Sequence, residues 1–201
     1  MVDKTAVTKL MRKHFSGPYT FEVNDDLSVS ARGTLRNTMV IKQLPVTFAE
    51  VDGVLLLNDA GLETLQGLPP KISRSLLIKG NQLKSLEHCP TWIGETFNCS
   101  LNPLNSLEHG PTHVGETYLA TQLPQVTDLA GLAEHIGRMV NVDYDRHLGL
   151  LRLLVAKYVF IEFVPDKVNA IMTRYQGQGH KGALACAAEL ADAGYKGNAR
   201  W

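Results

Sequence analysis

The sequence predicts a solenoid of the α/β class, in which one short unit of chain stacks on the next. Apolar residues recur with a period of 21 residues through four consecutive turns, from residue 41 to residue 124. Each turn contains a segment that we expect to be a β-strand, whose side chains point alternately into the core and into solvent. The segments 1–40 and 125–201 break this period, and we expect them to close the two ends.

The repeated unit has the form L-x-x-L followed by L-x-L-x-x-N. One turn supplies Leu62, Leu65, Leu76, Ile78 and Asn81, and the next supplies Leu83, Leu86, Phe97, Cys99 and Asn102. A period of about 20–29 residues with this pattern is the signature of a leucine-rich repeat. We therefore predict a leucine-rich-repeat solenoid in which the two asparagines bond backbone groups inside the turns.

The N-terminal segment 1–40 predicts a helix followed by a β-hairpin. Apolar residues in 1–15 are spaced three and four apart, as on one face of a helix. Residues 19–23 and 27–30 alternate in polarity on either side of the turn Asn24–Asp26. Because the first turn of a solenoid would otherwise expose its core and an open sheet edge, we expect this segment to be a cap.

One strand in each repeat is predicted to join a parallel sheet. These strands cover residues 54–58, 75–79, 96–100 and 117–121. Since side chains alternate along a strand, one set should point into the core, namely Leu55, Leu57, Leu76, Ile78, Phe97, Cys99, Tyr118 and Ala120. Their neighbours should point outwards, on a face that we expect to be concave.

The C-terminal segment 125–201 predicts a degenerate fifth turn and a small α/β cap. A buried helix is predicted over 147–157, a strand over 158–163 and a helix that begins at Pro165. A last helix is predicted over 180–193. This segment is therefore expected to be mostly helical.

The middle column of outward-facing residues is the predicted partner-binding site. It consists of Leu56, Leu77, Asn98 and Leu119, with Lys79 and Thr96 beside it. Three leucines on a nominally solvent-facing row form an apolar stripe with a polar rim, which is typical of an interaction site. The alternative is that a cap folds over this face and buries the leucines.

Two turns carry a family resemblance. Leu83–Pro90 with Ile93–Gly94, and Leu104–Pro111 with Val114–Gly115, share the form L-x-S-L-E-H-x-P followed by an apolar residue and glycine. These repeats resemble the short leucine-rich repeats of bacterial effector proteins, and still more those of uncharacterised bacteriophage-encoded proteins. The ending Glu189–Trp201 is similar to the phage group as well. The resemblance implies the repeat fold, but it brings no reaction and no known ligand.

Some members of the effector family add a large ubiquitin-ligase domain with a catalytic cysteine. The segment after residue 125 is far too short for that domain. Cys186 also lacks an adjacent acid, histidine or lysine that would lower its pKa. We therefore expect no enzymatic activity.

The composition argues against several classes of partner. The 20 basic and 20 acidic residues give a formal net charge of zero, whereas proteins that bind nucleic acid or membrane surfaces usually carry a basic stripe. No stretch approaches about 18 uninterrupted apolar residues, so no membrane partner is expected. The three cysteines without disulfide-like spacing, and the lack of an apolar signal segment, predict a cytoplasmic protein.

A second function class is the binding of a small ligand or nucleotide. Arg174, His180 and Lys181 lie near the start of the last helix, where backbone N–H groups favour an anion. A plain turn between helices is the alternative interpretation of that segment. Tyr144, Asp145 and His147 could form an acid–base group, but Asp145 is better explained as a helix cap.

Stacked acidic and imidazole side chains could bind a divalent metal such as zinc. They are Glu87, Glu108, His88 and His109. Near-identical repeats would also place these residues side by side as a solvated edge, so no metal or cofactor is predicted. The sequence thus predicts a non-catalytic protein-binding module. The phage resemblance implies a modulator or inhibitor of a host protein, such as a defence protein, acting in the host cytoplasm.

Overall fold

The computed structural model describes residues 3–201 as a parallel β-solenoid of about six turns of about 21 residues each. Residues 1 and 2 of the predicted N-terminal helix lie outside the described residues. The α-helices of the solenoid lie at its two ends. Helix α1 (Lys4–His14) precedes the sheet, and α2 (Asp166–Tyr175) and α3 (His180–Asp192) follow it. Within residues 3–201, no helix is long and apolar enough to cross a membrane.

The N-terminal strands begin the sheet. Strands β1 (Phe15–Ser16) and β2 (Tyr19–Val23) pair antiparallel with β3 (Val29–Asn37). Strand β3 also pairs in parallel with β4 (Phe48–Leu56). The second strand of the hairpin is therefore also the first strand of the parallel sheet, and the antiparallel strands cover its outer side.

Each central turn contributes two short strands, where the sequence predicted one. The first ladder contains β5 (Lys71–Ile72), β7 (Trp92–Ile93), β9 (His113–Val114) and β11 (His135–Ile136). The second contains β6 (Leu76–Leu77), β8 (Thr96–Asn98), β10 (Thr117–Ala120), β12 (Met139–Asp143) and β13 (Tyr158–Glu162). Strand β4 pairs with β5 through Val51 and with β6 through Leu55, so both ladders begin on that strand.

The predicted number of four turns is wrong, because parallel pairing continues at both ends. Leu119 pairs with Asn141, 22 residues later, and Asn141 pairs with Phe160, 19 residues later. At the other end, Arg36 pairs with Leu56. The strand that the sequence placed in a C-terminal cap therefore continues the sheet. The outer turns depart from the 21-residue spacing, so the period fades in the sequence while the stacking persists.

The buried helix predicted over 147–157 is replaced by a short 3-10 helix, Leu151–Val155. The leucines of this segment are buried, as predicted, and they are Leu148, Leu150, Leu151, Leu153 and Leu154. However, the backbone N–H groups of Leu150 and Leu151 donate to carbonyls of Asn198 and Arg200. Bonds to the C-terminal segment thus take the place of intrahelical bonds.

Two buried asparagines join successive turns. The side chain of Asn81 accepts from the Leu62 N–H at 2.9 Å. Its amide nitrogen donates to the carbonyls of Leu57 and Ile78, both at 2.8 Å. Asn102 makes the same three bonds one turn later, to Leu83, Ile78 and Cys99 at 3.2, 3.0 and 2.9 Å. The predicted structural role of these asparagines is confirmed.

Glycines allow the two ladders to meet at a tight corner. A Cβ on Gly94, Gly115 or Gly137 would lie 2.0 Å from a carbonyl oxygen of the preceding turn. The N–H of Gly115 donates to the Ile93 carbonyl at 2.9 Å, so the backbones of adjacent turns are in direct contact. Any side chain at these positions would separate the turns.

We expect Asn102→Ala to lower the free energy of unfolding by about 2–3 kcal/mol, because it leaves buried backbone groups without partners. Urea unfolding measures this change. The matched control is Asn105→Ala, whose exposed side chain makes no hydrogen bond within residues 3–201 and should cost less than about 0.5 kcal/mol. Equal losses in both variants would contradict the role assigned to Asn102.

The largest fully buried side chain, Tyr118, has a hydroxyl without a hydrogen-bond partner in the described part of the chain. Burial raises the pKa of this phenol well above its ordinary value, and the thiols of Cys99 and Cys89 raise it further. The hydroxyl therefore remains neutral, and the polar side chain next to it is the Cys99 thiol, a weak hydrogen-bonding group.

We expect Tyr118→Phe to leave the unfolding free energy unchanged or to raise it by about 1 kcal/mol, because a weak thiol offsets little of the cost of burying the hydroxyl. Tyr144→Phe is the contrasting variant. The Tyr144 hydroxyl donates to Asn198 Oδ1 at 3.1 Å, so its removal should cost about 1 kcal/mol. Urea unfolding of both variants measures the difference, and a clear loss in Tyr118→Phe would contradict the prediction.

Candidate partner-binding face

The predicted binding residues lie in one straight column on the second ladder. Leu56, Leu77, Asn98 and Leu119 are aligned by parallel pairing of β4, β6, β8 and β10. Their neighbours along each strand, including Leu55, Leu76, Phe97 and Tyr118, are fully buried. The eight core residues predicted from the alternation are all buried. Because side chains alternate along each strand, the outward row is separate from the buried core rows.

The leucines of this row are partly exposed. A cap folded over the face would bury them, so the alternative interpretation does not describe the structure of residues 3–201. Leu56 and Leu77 are direct neighbours in this row, and Asn98 separates them from Leu119, so the apolar surface is interrupted by one amide.

The same column extends beyond the predicted residues at both ends. Arg36 precedes Leu56 in the register, and Asn141 and Phe160 follow Leu119. Phe160 is 56% exposed, whereas the three leucines are only partly exposed. We call the seven residues Arg36, Leu56, Leu77, Asn98, Leu119, Asn141 and Phe160 the outer column. Sequence reasoning missed its ends, although the alternation in β13 already marked Phe160 as outward-facing.

Charges are unevenly placed along this face. Arg36 and Lys79 are exposed towards its N-terminal end, and neither forms an ion pair within residues 3–201. Asp143 and Glu162 lie towards its C-terminal end, on β12 and β13. The face is therefore apolar along its centre, basic near one end and acidic near the other.

The polar residues of the face are partly engaged. Asn98 Oδ1 accepts from the Ser100 N–H at 3.1 Å, while its amide nitrogen donates to no group in residues 3–201. Asn141 donates to Glu162 Oε1 at 3.1 Å, and its own Oδ1 has no partner there. Thr96 is partly exposed beside Asn98. The Asn98 amide nitrogen and Thr96 therefore leave hydrogen-bonding capacity between the leucines, whereas the Asn141 Oδ1 is itself buried.

The residues predicted for small-ligand binding are not gathered into one site. Arg174 forms an ion pair with Glu189, which lies far along α3 from its first turn. His180 stacks on Trp201, with ring centroids 3.9 Å apart. Lys181 is exposed. Arg174 is therefore engaged elsewhere, and only His180 and Lys181 remain at the start of α3.

The other candidate groups have structural partners or high pKa values. Asp145 accepts from the His147 N–H at 2.7 Å, but the segment that follows is the 3-10 helix rather than the predicted helix. Burial raises the pKa of Cys99 to about 12 and that of Cys186 to about 11, so neither thiol is a nucleophile at neutral pH. Within residues 3–201, no group of three or more His, Cys, Asp or Glu is placed to hold a metal ion.

A second row of stacked groups lies on the first ladder. Lys71 Nζ lies 3.9 Å from the centre of the Trp92 ring, which stacks on His113 with centroids 5.3 Å apart. His113 stacks in turn on His135 at 4.4 Å. Partial burial lowers the pKa of His113, and the charges of His135 and Lys71 lower it further. Protonation of His113 is therefore disfavoured in the folded state.

This lowered pKa predicts a loss of stability in acid. The unfolded chain binds a proton at His113 more readily, so the contribution of this residue is complete above the unfolded-state pKa and is lost as the pH falls. We expect His113→Gln to show a smaller fall in unfolding free energy than wild type between pH 7.5 and pH 5.0 in urea titrations. His147→Gln, outside the stack, is the control, and an unchanged slope in His113→Gln would contradict the prediction.

Comparison with known proteins gives no further assignment. No family model matches the chain, and neither a curated protein nor a solved structure matches it.

Proposed function

We propose that this chain is a non-catalytic protein-binding module whose partner docks on the outer column. The observation that supports the proposal best is the alignment of Leu56, Leu77 and Leu119 with Phe160 on one partly exposed sheet face. Exposed apolar side chains that lie next to one another, as Leu56 and Leu77 do, with polar groups around them are typical of interaction sites. A sheet supported by a packed core also holds these side chains in place before the partner arrives, which lowers the entropic cost of binding.

The leucines and Phe160 would supply most of the binding free energy. Complete burial of one such side chain contributes about 1.5–3 kcal/mol, and a few central residues usually dominate an interface. Leu77 lies near the centre of the column, between Leu56 and Asn98. Asn98, Thr96 and Lys79 would direct the partner through hydrogen bonds and charge.

The charges at the two ends of the face define the chemistry of the partner. A complementary surface is apolar in the middle, acidic where it meets Arg36 and Lys79, and basic where it meets Asp143 and Glu162. Such complementarity contributes orientation and association rate more than affinity. The net charge of zero supports a partner recognised by this local pattern rather than by bulk attraction.

The resemblance of the repeats to those of phage-encoded proteins supports a bacterial host protein as the partner. Binding would then modulate or inhibit that protein, for example a component of a host defence system, in the host cytoplasm. The alternative function, small-ligand binding through Arg174, His180 and Lys181, has less support because Arg174 pairs with Glu189.

We expect Leu77→Glu to weaken partner binding at least about thirtyfold, because a buried charge would replace a central apolar contact. Affinity capture from bacterial lysate, followed by titration with the purified partner, measures the effect. Leu184→Glu makes the same chemical change on α3, where the leucine is 86% exposed, and should bind as wild type does. Thermal unfolding of both variants tests whether the fold is retained.

Two results would contradict this proposal. One is a partner that binds Leu77→Glu and wild type equally well, which would place the contact outside the outer column. The other is a partner whose binding is lost in Leu184→Glu and retained in Leu77→Glu, which would place the contact on α3. Charge reversal at Lys79 should mainly slow association, so the association rate gives an independent readout.

A further inference from the structure

A groove lies between the loops of the central turns and the C-terminal segment. One part is a cavity of about 500 Å³ lined by His88, His109, Glu134 and Arg152 among others. A second cavity of about 340 Å³ adjoins it, shares Glu134 and Arg152, and ends at His180 and Trp201. We call this continuous depression the histidine groove.

The guanidinium of Arg152, where the two cavities meet, has no partner within residues 3–201. Arg152 lies in the 3-10 helix and lines both cavities, and its guanidinium forms no ion pair or hydrogen bond within residues 3–201. Its side chain is half-buried. A planar guanidinium with five donors matches a phosphate or carboxylate, and partial burial strengthens such a contact.

Two histidines in the groove occupy positions where the backbone favours glycine. His88 has φ of 66° and His109 has φ of 63°. The equivalent residues of the turns before and after are Gly67 and Gly131, which adopt φ of 97° and 82°. Glycine meets this requirement without steric cost, whereas a side chain adds strain. Local conformation therefore does not explain the imidazoles, which line the groove and can donate hydrogen bonds to an anion.

The far end of the groove offers an aromatic surface. Trp201 stacks on His180 through one face and is 39% exposed. The cavity beside it is bounded by the apolar side chains of Leu132 and Val155. The flat ring of a ligand could pack against the surface formed by Trp201, Leu132 and Val155. The carboxylate of Glu134 suits a hydroxyl or amino donor and would repel a bare anion.

We propose that the histidine groove binds a small organic anion that carries a flat ring, which is the chemistry of a mononucleotide. Arg152, His88 and His109 contact the anionic group. Trp201 contacts the ring, and Glu134 accepts from a hydroxyl or amino group between them. This site is separate from the outer column and does not depend on the proposed protein partner.

Calorimetric titration of the full chain with AMP tests this site, with adenosine and inorganic phosphate as half-ligands. We expect AMP to bind at least about tenfold more tightly than either half, because the two contacts act together. Arg152→Gln keeps a polar side chain, removes the guanidinium and its charge, and should weaken AMP binding about tenfold or more. Trp201→Ala should weaken AMP binding and leave phosphate binding unchanged. Arg138→Ala, an exposed arginine outside the groove, should bind as wild type does.

The double substitution of His88→Gly and His109→Gly distinguishes a ligand role from a structural one. It supplies the residue found in the neighbouring turns, so we expect thermal stability to be retained or increased while AMP affinity falls. No heat of binding with millimolar AMP would overturn the proposal. So would equal binding by wild type, Arg152→Gln and the double glycine variant, or phosphate binding as tight as that of AMP.

Discussion

The hydrogen bonds of Asn81 and Asn102 are the constraint on which the rest of the structure depends. Each amide connects three backbone groups from more than one turn, in a core where water cannot replace them. They fix how far each turn is rotated and shifted relative to the next. A shift of one residue along a strand would exchange the core row for the outward row. Both candidate surfaces exist because that shift is prevented.

The sequence revealed the second ladder's strands and their core rows because residues two apart report burial directly. Leu76 and Ile78 in one turn match Phe97 and Cys99 in the next, so the repeat identifies the core positions even where the residue between them, Leu77, is itself apolar. It did not reveal the first ladder, whose strands of two residues are too short to show alternation. It described the fifth turn only as degenerate and missed the continuation of the sheet into β13, because spacings of 22 and 19 residues hide a register that the backbone still keeps. The prediction of a helix over 147–157 was wrong, because the backbone of Leu150 and Leu151 bonds to the C-terminal residues Asn198 and Arg200.

The two candidate sites differ in how much a single sequence can show. The outer column is a consequence of periodicity, so its central residues follow from the amino-acid sequence alone. Phe160 escapes that reasoning because the fading period assigns β13 to a cap. The histidine groove joins His109 to Trp201 across most of the C-terminal segment, and no pattern of spacing brings such residues together. In the sequence, only the presence of His88 and His109 where the neighbouring turns have Gly67 and Gly131 marks that edge as unusual.

The glycine corner allows the molecule to grow or shrink by whole turns. Gly94 and Gly115 meet the preceding turn through the same backbone contact, and Asn81 and Asn102 make equivalent bonds. A duplicated 21-residue unit inserted between them would find the same neighbours on both sides. It would lengthen the binding face by about 4.8 Å, the distance between strands. Gene duplication could therefore change the reach of this protein without altering the chemistry of any single turn.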